Sequence, residues 1–231
     1  MRFEVIYEDN HLIAVNKPPG ILVQRDDTQD LAMSDLVKKY LKKKYDKPGD
    51  VFLGTIHRID RPVSGVTLYA RTSKGLSRMN ELFRSREVDK QYLAMSQSCP
   101  ERHSDTLIHY LDKDSYKNKV HVYAKPKNKA KKSETRYQLL SRINNVYAYQ
   151  VKPITGRPHQ IRAQFARMGC PLVGDLKYGA SMPLENRSVG LHAYCMNFLH
   201  PIKKTEISIK CLPENRPPWN FFDFTELEFF E

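Results

Sequence analysis

Apolar and polar positions alternate along much of the chain in the short runs that are typical of β-strands. Residues 3–9 (FEVIYED) and 11–17 (HLIAVNK) are two such runs, and the turn-forming PPG follows them. The pattern predicts further strands over residues 65–71, 88–95, 190–201 and 205–212. Two alternating runs at 135–143 and 146–153 are separated by Asn144 and Asn145, which predicts a β-hairpin.

Three segments instead repeat their apolar residues at helical spacing. Over residues 31–44 the apolar positions share one face, and lysines cover the rest. The segment 73–86 predicts a second helix with Ser73 as its N-cap. A third helix is predicted from Arg157 to Gly169, with Thr155 or Gly156 at the N-cap.

These elements together predict an α/β (α+β) fold with a mixed, largely antiparallel sheet flanked by helices. Seven or more strands, three helices and repeated hairpins favour antiparallel pairing. A doubly wound parallel sheet is disfavoured because strict βαβ alternation is missing. With 231 residues and 40% hydrophobic content, we expect a single domain over residues 1–231.

The charge balance points to a polyanionic partner. Lys and Arg number 38 against 26 Asp and Glu, which gives a net charge of +12 and favours nucleic acid or an acidic membrane surface. No signal peptide and no apolar stretch of membrane-spanning length is found, so we expect a cytoplasmic protein. The four cysteines have no C-x-x-C spacing, which argues against a zinc site or a disulfide framework.

The segment 125–135 (KPKNKAKKSET) is dense in lysine and almost free of apolar residues. It predicts an exposed, mobile loop, and it is a better candidate for an arm that contacts phosphates than for a domain boundary. The candidate phosphate contacts are Lys127, Lys129, Lys131 and Lys132.

Residues 57–65 (HRIDRPVSG) place Asp60 between two arginines, in a stretch constrained by Pro62 and freed at Gly65. We expect a loop that leads into the following strand. Asp60 has two open interpretations: a turn-forming residue that pairs with Arg58 or Arg61, or an ionised carboxylate available as a nucleophile or base.

Two other segments carry candidate site residues. In the predicted helix from Arg157, His159 and Arg162 lie three residues apart, and cations near a helix N-terminus favour a bound anion. The alternative is a solvated basic face. Tyr92 lies in the predicted strand 88–95, where a tyrosine on its own is more often a core residue than a catalytic one.

Five motifs together resemble the RluA-type family of RNA pseudouridine synthases. The family signature H-R-L-D-x-x-T-S-G corresponds to HRIDRPVSG, and T-G-R-T-H-Q-[IL]-R corresponds to TGRPHQIR. The segments EVDKQYLA, GCPLVGDLKYG and LHAYCMNFLHP are also similar, in the family's order, from about residue 3 to 212. The departures are Ile59, Val63 and Pro158, and Val63 lacks a hydroxyl that could order the Asp60 loop.

The resemblance implies the pseudouridine synthase catalytic fold with a central active-site cleft, and it implies roles for several residues. Asp60 would be the essential aspartate, Tyr92 the tyrosine under the uracil, and Arg162 the arginine that pairs with the aspartate. The substrate-binding candidates are His57, Arg58, Arg157, His159 and the apolar Leu191. The partner would be ribosomal or transfer RNA, with no cofactor, no metal and no membrane, and we expect a monomer without the additional N-terminal RNA-binding domain of larger relatives.

Two other functions remain as alternatives. A noncatalytic RNA-binding module would need the basic surface but not Asp60, and aspartate suits a phosphate-binding loop poorly. A metal-dependent nuclease would use His57, Asp60 and His159, but no carboxylate cluster suited to magnesium is evident. His192 and His200 are interpreted as packing or turn residues, and Asp175 as a turn residue.

Overall fold

The computed structural model describes residues 3–227. Its chain divides into two compact units, which we describe separately. Unit 1 comprises residues 1–89 and 195–211, and unit 2 comprises residues 90–194 and 212–231. The expected single domain over residues 1–231 stays a prediction, and its residues 1–2 and 228–231 lie outside the described part of the chain.

Unit 1 begins with the strands that the alternating pattern predicted. Strands β1 (Glu4–Glu8), β2 (Leu12–Lys17) and β4 (Ser64–Ala70) pair in that order, and the short β3 (Gly54–Thr55) also pairs with β4. All of these pairs are antiparallel. Every residue of β4 is buried, so this strand is a firm support for the loop that precedes it.

Two helices of unit 1 lie near their predicted positions. Helix α1 (Met33–Lys44) buries Met33, Val37 and Leu41. Helix α2 (Ser73–Ser85) is capped by Thr72, whose hydroxyl accepts the N–H of Gly75 at 3.0 Å. The prediction of Ser73 as the N-cap is therefore wrong by one residue, because the hydroxyl that accepts the unpaired Gly75 N–H of the first turn belongs to Thr72.

Five strands and one helix form most of unit 2. The strands are β5 (Asp89–Ser96), β6 (Ser104–Asp114), β7 (Lys119–Tyr123), β8 (Lys131–Ile143) and β9 (Val146–Pro153), and the helix is α3 (Gln160–Arg167). Their order is β5-β9-β8-β6-β7, with antiparallel pairing throughout. The predicted β8–β9 hairpin is confirmed: Asn144 and Asn145 have φ of 49° and 59°, a conformation that asparagine tolerates.

The division between the units falls within strand β10 (Leu191–Leu199). Its last five residues belong to unit 1, where they pair with β11 (Glu206–Lys210). His200 follows β10, and its Nδ1 accepts the backbone N–H groups of Ile202 and Lys203. This agrees with its interpretation as a turn histidine.

Each unit has apolar packing of its own. In unit 1, residues of β2, β4, α2, β10 and β11 form one buried cluster that includes Leu12, Leu68 and Met79. In unit 2, the rings of Tyr137, Tyr149 and Phe165 pack edge to face, with centroids 5.4 to 6.1 Å apart. Phe165 thereby fixes helix α3 onto strands β8 and β9.

The lysine-dense loop is shorter than predicted. The expected loop 125–135 ends at residue 130, because β8 begins at Lys131 and pairs with β6. Ser133 and Thr135 are fully buried on this strand. Burial of every second residue is typical of a strand, but here the buried residues are polar, so the sequence does not show the alternation of apolar and polar residues by which a strand is recognised.

Candidate active site

Asp60 begins a tight turn directly before the buried strand β4. Its carbonyl oxygen accepts the N–H of Val63 at 3.0 Å, and the Asp60 side chain is half-buried. This agrees with the predicted constrained loop. The buried strand β4 therefore fixes the position of the backbone that carries the Asp60 carboxylate.

A buried lysine ties this turn to the PPG turn that follows β2. The Lys17 Nζ donates to the carbonyl oxygens of Pro18 and Ile21, both at 2.9 Å, and of Arg61 at 3.2 Å. Arg61 and Gly20 also exchange two hydrogen bonds, from Gly20 N–H and from the guanidinium Nε. Burial lowers the pKa of Lys17 to about 7, and the Asp60 carboxylate opposes that shift by favouring the charged ammonium.

The two residues that precede Asp60 in the motif differ in their surroundings. His57 faces inward: its Nε2 accepts the N–H of Leu68 at 3.0 Å, and its ring stacks on Phe83. Arg58 is exposed. The prediction that both contact substrate stays a prediction, and the observed geometry suits Arg58 better than His57.

Helix α3 begins later than predicted. It starts at Gln160 rather than Arg157, and His159 is its N-cap in the left-handed conformation, with φ of 50°. The Gln160 side chain holds the preceding turn: its Oε1 accepts the Arg157 N–H at 3.0 Å and the Thr155 hydroxyl at 2.7 Å. The predicted N-cap at Thr155 or Gly156 is therefore wrong, because these bonds hold that segment in a turn before the helix begins.

Arg162 is buried and makes a two-point ion pair with Asp175. The guanidinium Nε and Nη2 lie 2.7 and 2.8 Å from the two carboxylate oxygens, and the two side chains are 5% and 1% exposed. The alternative of a solvated basic face is therefore wrong at this position. Asp175 was interpreted as a turn residue, and its role as the partner of Arg162 was missed. The pairing of Arg162 with Asp60 stays a prediction.

Tyr178 connects helix α3 to the β6–β7 hairpin. Its hydroxyl accepts the N–H of Val120 at 2.9 Å and lies 2.9 Å from the Nδ1 of His159. The ring of Tyr178 also lies under the guanidinium of Arg162, 5.2 Å from centroid to Cζ. Two predicted site residues, His159 and Arg162, thus both contact Tyr178. No role was predicted for Tyr178 from the sequence.

The other predicted residues of unit 2 lie on strands or loops. Tyr92 is half-buried on β5 opposite Val151, and Leu191 is buried at the start of β10. The Arg157 Nε donates to the carbonyl of Lys132 at 3.2 Å, which ties the TGRPHQIR motif to strand β8.

The four candidate RNA-contacting lysines form an exposed group on unit 2. Lys127 and Lys129 lie in the loop between β7 and β8, and the Nζ of Lys127 lies 4.3 Å from the ring centroid of Tyr123. Lys131 and Lys132 lie on β8 itself. Their solvent exposure fits contacts to phosphates, which stay a prediction.

The site residues thus separate between the units. His57, Arg58 and Asp60 belong to unit 1, with Lys17, and the remaining candidates belong to unit 2. Within residues 3–227, no group of three His, Cys, Asp or Glu side chains could hold a metal ion, and no helix is long and apolar enough to cross a membrane. The candidate groups that the structure describes include the half-buried carboxylate of Asp60, the buried guanidinium of Arg162 and the ring of Tyr178.

Comparison with known proteins gives relatives that are named pseudouridine synthases. A transfer RNA pseudouridine synthase C from Haemophilus ducreyi is 32% identical over 254 residues, covering 97% of this chain and 99% of the relative. The ribosomal large subunit pseudouridine synthase C of Vibrio cholerae is 30% identical over 213 residues, covering 89% of this chain and 64% of the relative. The chain therefore spans just under two thirds of the length of such ribosomal large subunit pseudouridine synthases.

A solved structure supports the same fold. Human RNA Pseudouridylate Synthase Domain Containing 4 superposes with a TM-score of 0.74 at 24% identity, over 90% of this chain and 87% of the human chain. The family model described as RNA pseudouridylate synthase matches residues 11–167, from β2 to the last residue of α3. This match confirms the resemblance drawn from the motifs: the chain belongs to the RNA pseudouridylate synthase family.

Proposed function

We propose that this protein isomerises specific uridines of ribosomal or transfer RNA to pseudouridine, with Asp60 as the essential carboxylate. The observation that carries the proposal is the Asp60 turn, which lies in the HRIDRPVSG motif, begins directly before a buried strand and is tied down through Lys17. Family membership and the names of the relatives support the same reaction.

The reaction needs few groups. The bond between the base and the ribose breaks, the uracil turns in its pocket, and a new bond forms through carbon 5, which then loses its proton. An ionised carboxylate can attack the ribose or the base, or accept a proton from the sugar. Neither an oxidant nor a hydrolytic water takes part.

The other candidates complete the proposed site. Arg162 supplies a fixed positive charge, held by Asp175, and Tyr92 supplies an aromatic surface for the detached uracil. Leu191 supplies apolar wall, and Arg58, His57, Arg157 and His159 contact the RNA around the uridine. Extruding the uridine from its stack costs a few kcal/mol, which contacts from the exposed lysines to phosphates offset.

The two alternatives have less support. The nuclease interpretation would use His57 and His159 as ligands, but the His57 Nε2 already accepts a backbone N–H and the His159 Nδ1 lies against the Tyr178 hydroxyl. A binding module alone leaves the tethering of the Asp60 turn unexplained. We further propose that the protein acts as a monomer in the cytoplasm, that both units belong to one catalytic domain, and that the reaction needs no metal or cofactor.

The experiment that tests this function measures the loss of hydrogen from carbon 5 of the uridine. RNA transcribed with tritium at carbon 5 of its uridines, in a pool of ribosomal and transfer RNA sequences, should release tritium to water and remain full length, even in excess chelator. Asp60→Asn should abolish release and leave RNA affinity nearly unchanged, because the substitution removes charge but little volume. Chelator-sensitive cleavage would support the nuclease, and binding without release would support the binding module. More than trace activity in Asp60→Asn would show that Asp60 is not essential.

A further inference from the structure

The turn that joins β6 to β7 carries an aromatic side chain that is almost fully exposed. Tyr116 is 98% exposed, in the four-residue turn 115–118. The turn itself is ordered by Asp114, whose carboxylate accepts the N–H of Lys117 at 2.9 Å. A single exposed aromatic is common on protein surfaces, so its surroundings decide whether it has a role.

Those surroundings are basic. Lys113, Lys117 and Lys119 are exposed on the turn and the strand ends beside it. The Nζ of Lys177 lies against the same turn and donates to the carbonyl of Asn118 at 2.9 Å. Four lysines on or beside a turn that carries an uncovered aromatic ring match the combination by which single-stranded nucleic acid is bound, in which cations track the phosphates and a ring stacks on a base.

The hairpin is also joined to the candidate active site. Tyr178 accepts the N–H of Val120 on β7, contacts His159 and lies under Arg162. The ammonium of Lys119 lies 5.7 Å from the centroid of the same ring. Tyr116 lies four residues before Val120, a separation that the backbone can extend to at most about 14 Å, so Tyr116 is within a few nucleotides of this anchor.

We propose that Tyr116 stacks on an unpaired base of the RNA substrate, close to the uridine that is modified. The proposal rests on the function proposed above for its substrate. Tyr116 then contributes to binding of the RNA and not to the chemical step, so its removal raises KM and leaves kcat unchanged.

Three variants separate stacking from other contacts. Tyr116→Ala removes the side chain, Tyr116→Leu keeps an apolar group without an aromatic face, and Tyr116→Phe keeps the ring. We expect Ala and Leu to raise KM for the RNA pool by about fivefold or more, with Phe within twofold of wild type. Met182→Ala, which removes another exposed apolar side chain of unit 2, is the matched control and should leave KM unchanged. Wild-type KM in Ala, or Leu behaving like Phe, would overturn the proposal.

A direct readout uses fluorescence. The chain has one tryptophan, Trp219, which is buried, so Tyr116→Trp adds one exposed reporter. Its emission should be quenched by a 12-nucleotide oligouridylate and less by a 12-base-pair RNA duplex, whereas wild-type emission should change little. Equal emission with and without oligouridylate would overturn the proposal. If the wild-type enzyme releases no tritium but the reporter is quenched, the proposed reaction fails and the RNA contact stands.

Discussion

Arg162 and Asp175 meet through two parallel hydrogen bonds of 2.7 and 2.8 Å inside unit 2. This pair sets the direction of the guanidinium, because a planar fork bonded at two points cannot rotate. Asp175 is thus the positioning residue for Arg162.

Substitution of Asp175 should lower the stability of the protein, and substitution of Arg162 should lower its turnover. Asp175→Asn leaves a buried guanidinium without its counter-charge, and we expect the free energy of unfolding to fall by about 3–5 kcal/mol. Arg162→Lys keeps the charge but loses the fork, and we expect the single-turnover rate to fall by about tenfold or more. Urea unfolding and tritium release measure the two effects. Wild-type turnover in Arg162→Lys would show that the fork is not needed.

Tyr92 can be tested by separating its ring from its hydroxyl. If stacking on the uracil is its role, Tyr92→Phe should keep most of the turnover and Tyr92→Ala should lose it. If the hydroxyl acts as an acid or base, the two variants should be equally impaired. Measurement of kcat at saturating RNA decides between them, and near-normal values for both would place Tyr92 outside the site.

The exposed lysines should act through the salt dependence of RNA binding. Replacing Lys127, Lys129, Lys131 and Lys132 by Gln should reduce the slope of log K against log salt concentration by up to about 3, at about 0.7 per lost phosphate contact. The choice of modified uridine should not change. The matched control replaces four exposed lysines of helix α1, namely Lys38, Lys39, Lys42 and Lys43. An equal loss of slope in both variants would mean that the salt dependence of RNA binding reflects net charge alone and not contacts made by these four lysines.

Lys17 offers a test of the turn that carries Asp60. Lys17→Met keeps the length of the side chain but removes the ammonium that donates to the carbonyls of Pro18 and Ile21, and it leaves the Arg61 carbonyl with the Gly20 N–H alone, so we expect a loss of about 2–4 kcal/mol in unfolding free energy. We also expect slower turnover with unchanged RNA affinity, because the turn is less firmly held. Lys47→Met, at an exposed position, is the control. Full activity in Lys17→Met would show that the turn holds without the ammonium.

Acid stability should depend on Asp9. Burial opposes its ionisation, but hydrogen bonds from Lys203, from two backbone amides and from Tyr7 outweigh burial and hold its pKa well below the usual value. A depressed pKa in the folded state stabilises the protein above the unfolded pKa of about 4, and this contribution is lost as the pH falls below it. Asp9→Asn should therefore lower stability at pH 7 and flatten the decline between about pH 4 and 2, which urea unfolding across that range would measure. An unchanged profile would contradict the role of Asp9.

The sequence predicted most elements because strand and helix periodicities are local. The β8–β9 hairpin followed from Asn144 and Asn145, and strand β4 followed from the run at residues 65–71. The start of α3 was mispredicted because the side chain of Gln160 bonds the Arg157 amide and delays the helix. A side-chain bond of this kind has no periodic signature.

The long-range relations in the site were beyond sequence patterns. Asp175 lies 13 residues after Arg162 and meets it only because the chain turns back after α3. The sequence patterns assign no role to Lys17, yet its side chain is fully buried. Its position beside Pro18 in the NKPPG segment was the available signal, since a lysine within an apolar strand has to find acceptors inside the protein.

The backbone of His159 has a further consequence. Its left-handed conformation, with φ of 50° and ψ of 20°, disfavours a residue with a Cβ by about 1–2 kcal/mol, whereas glycine adopts it freely. Glycine at this position would relax the backbone but remove the imidazole that contacts Tyr178. Selection for backbone stability alone would favour glycine at this position, whereas the contact to RNA proposed for His159 would favour the histidine. The two preferences are opposed at a single residue, so stabilised variants of this protein should be sought elsewhere in the chain.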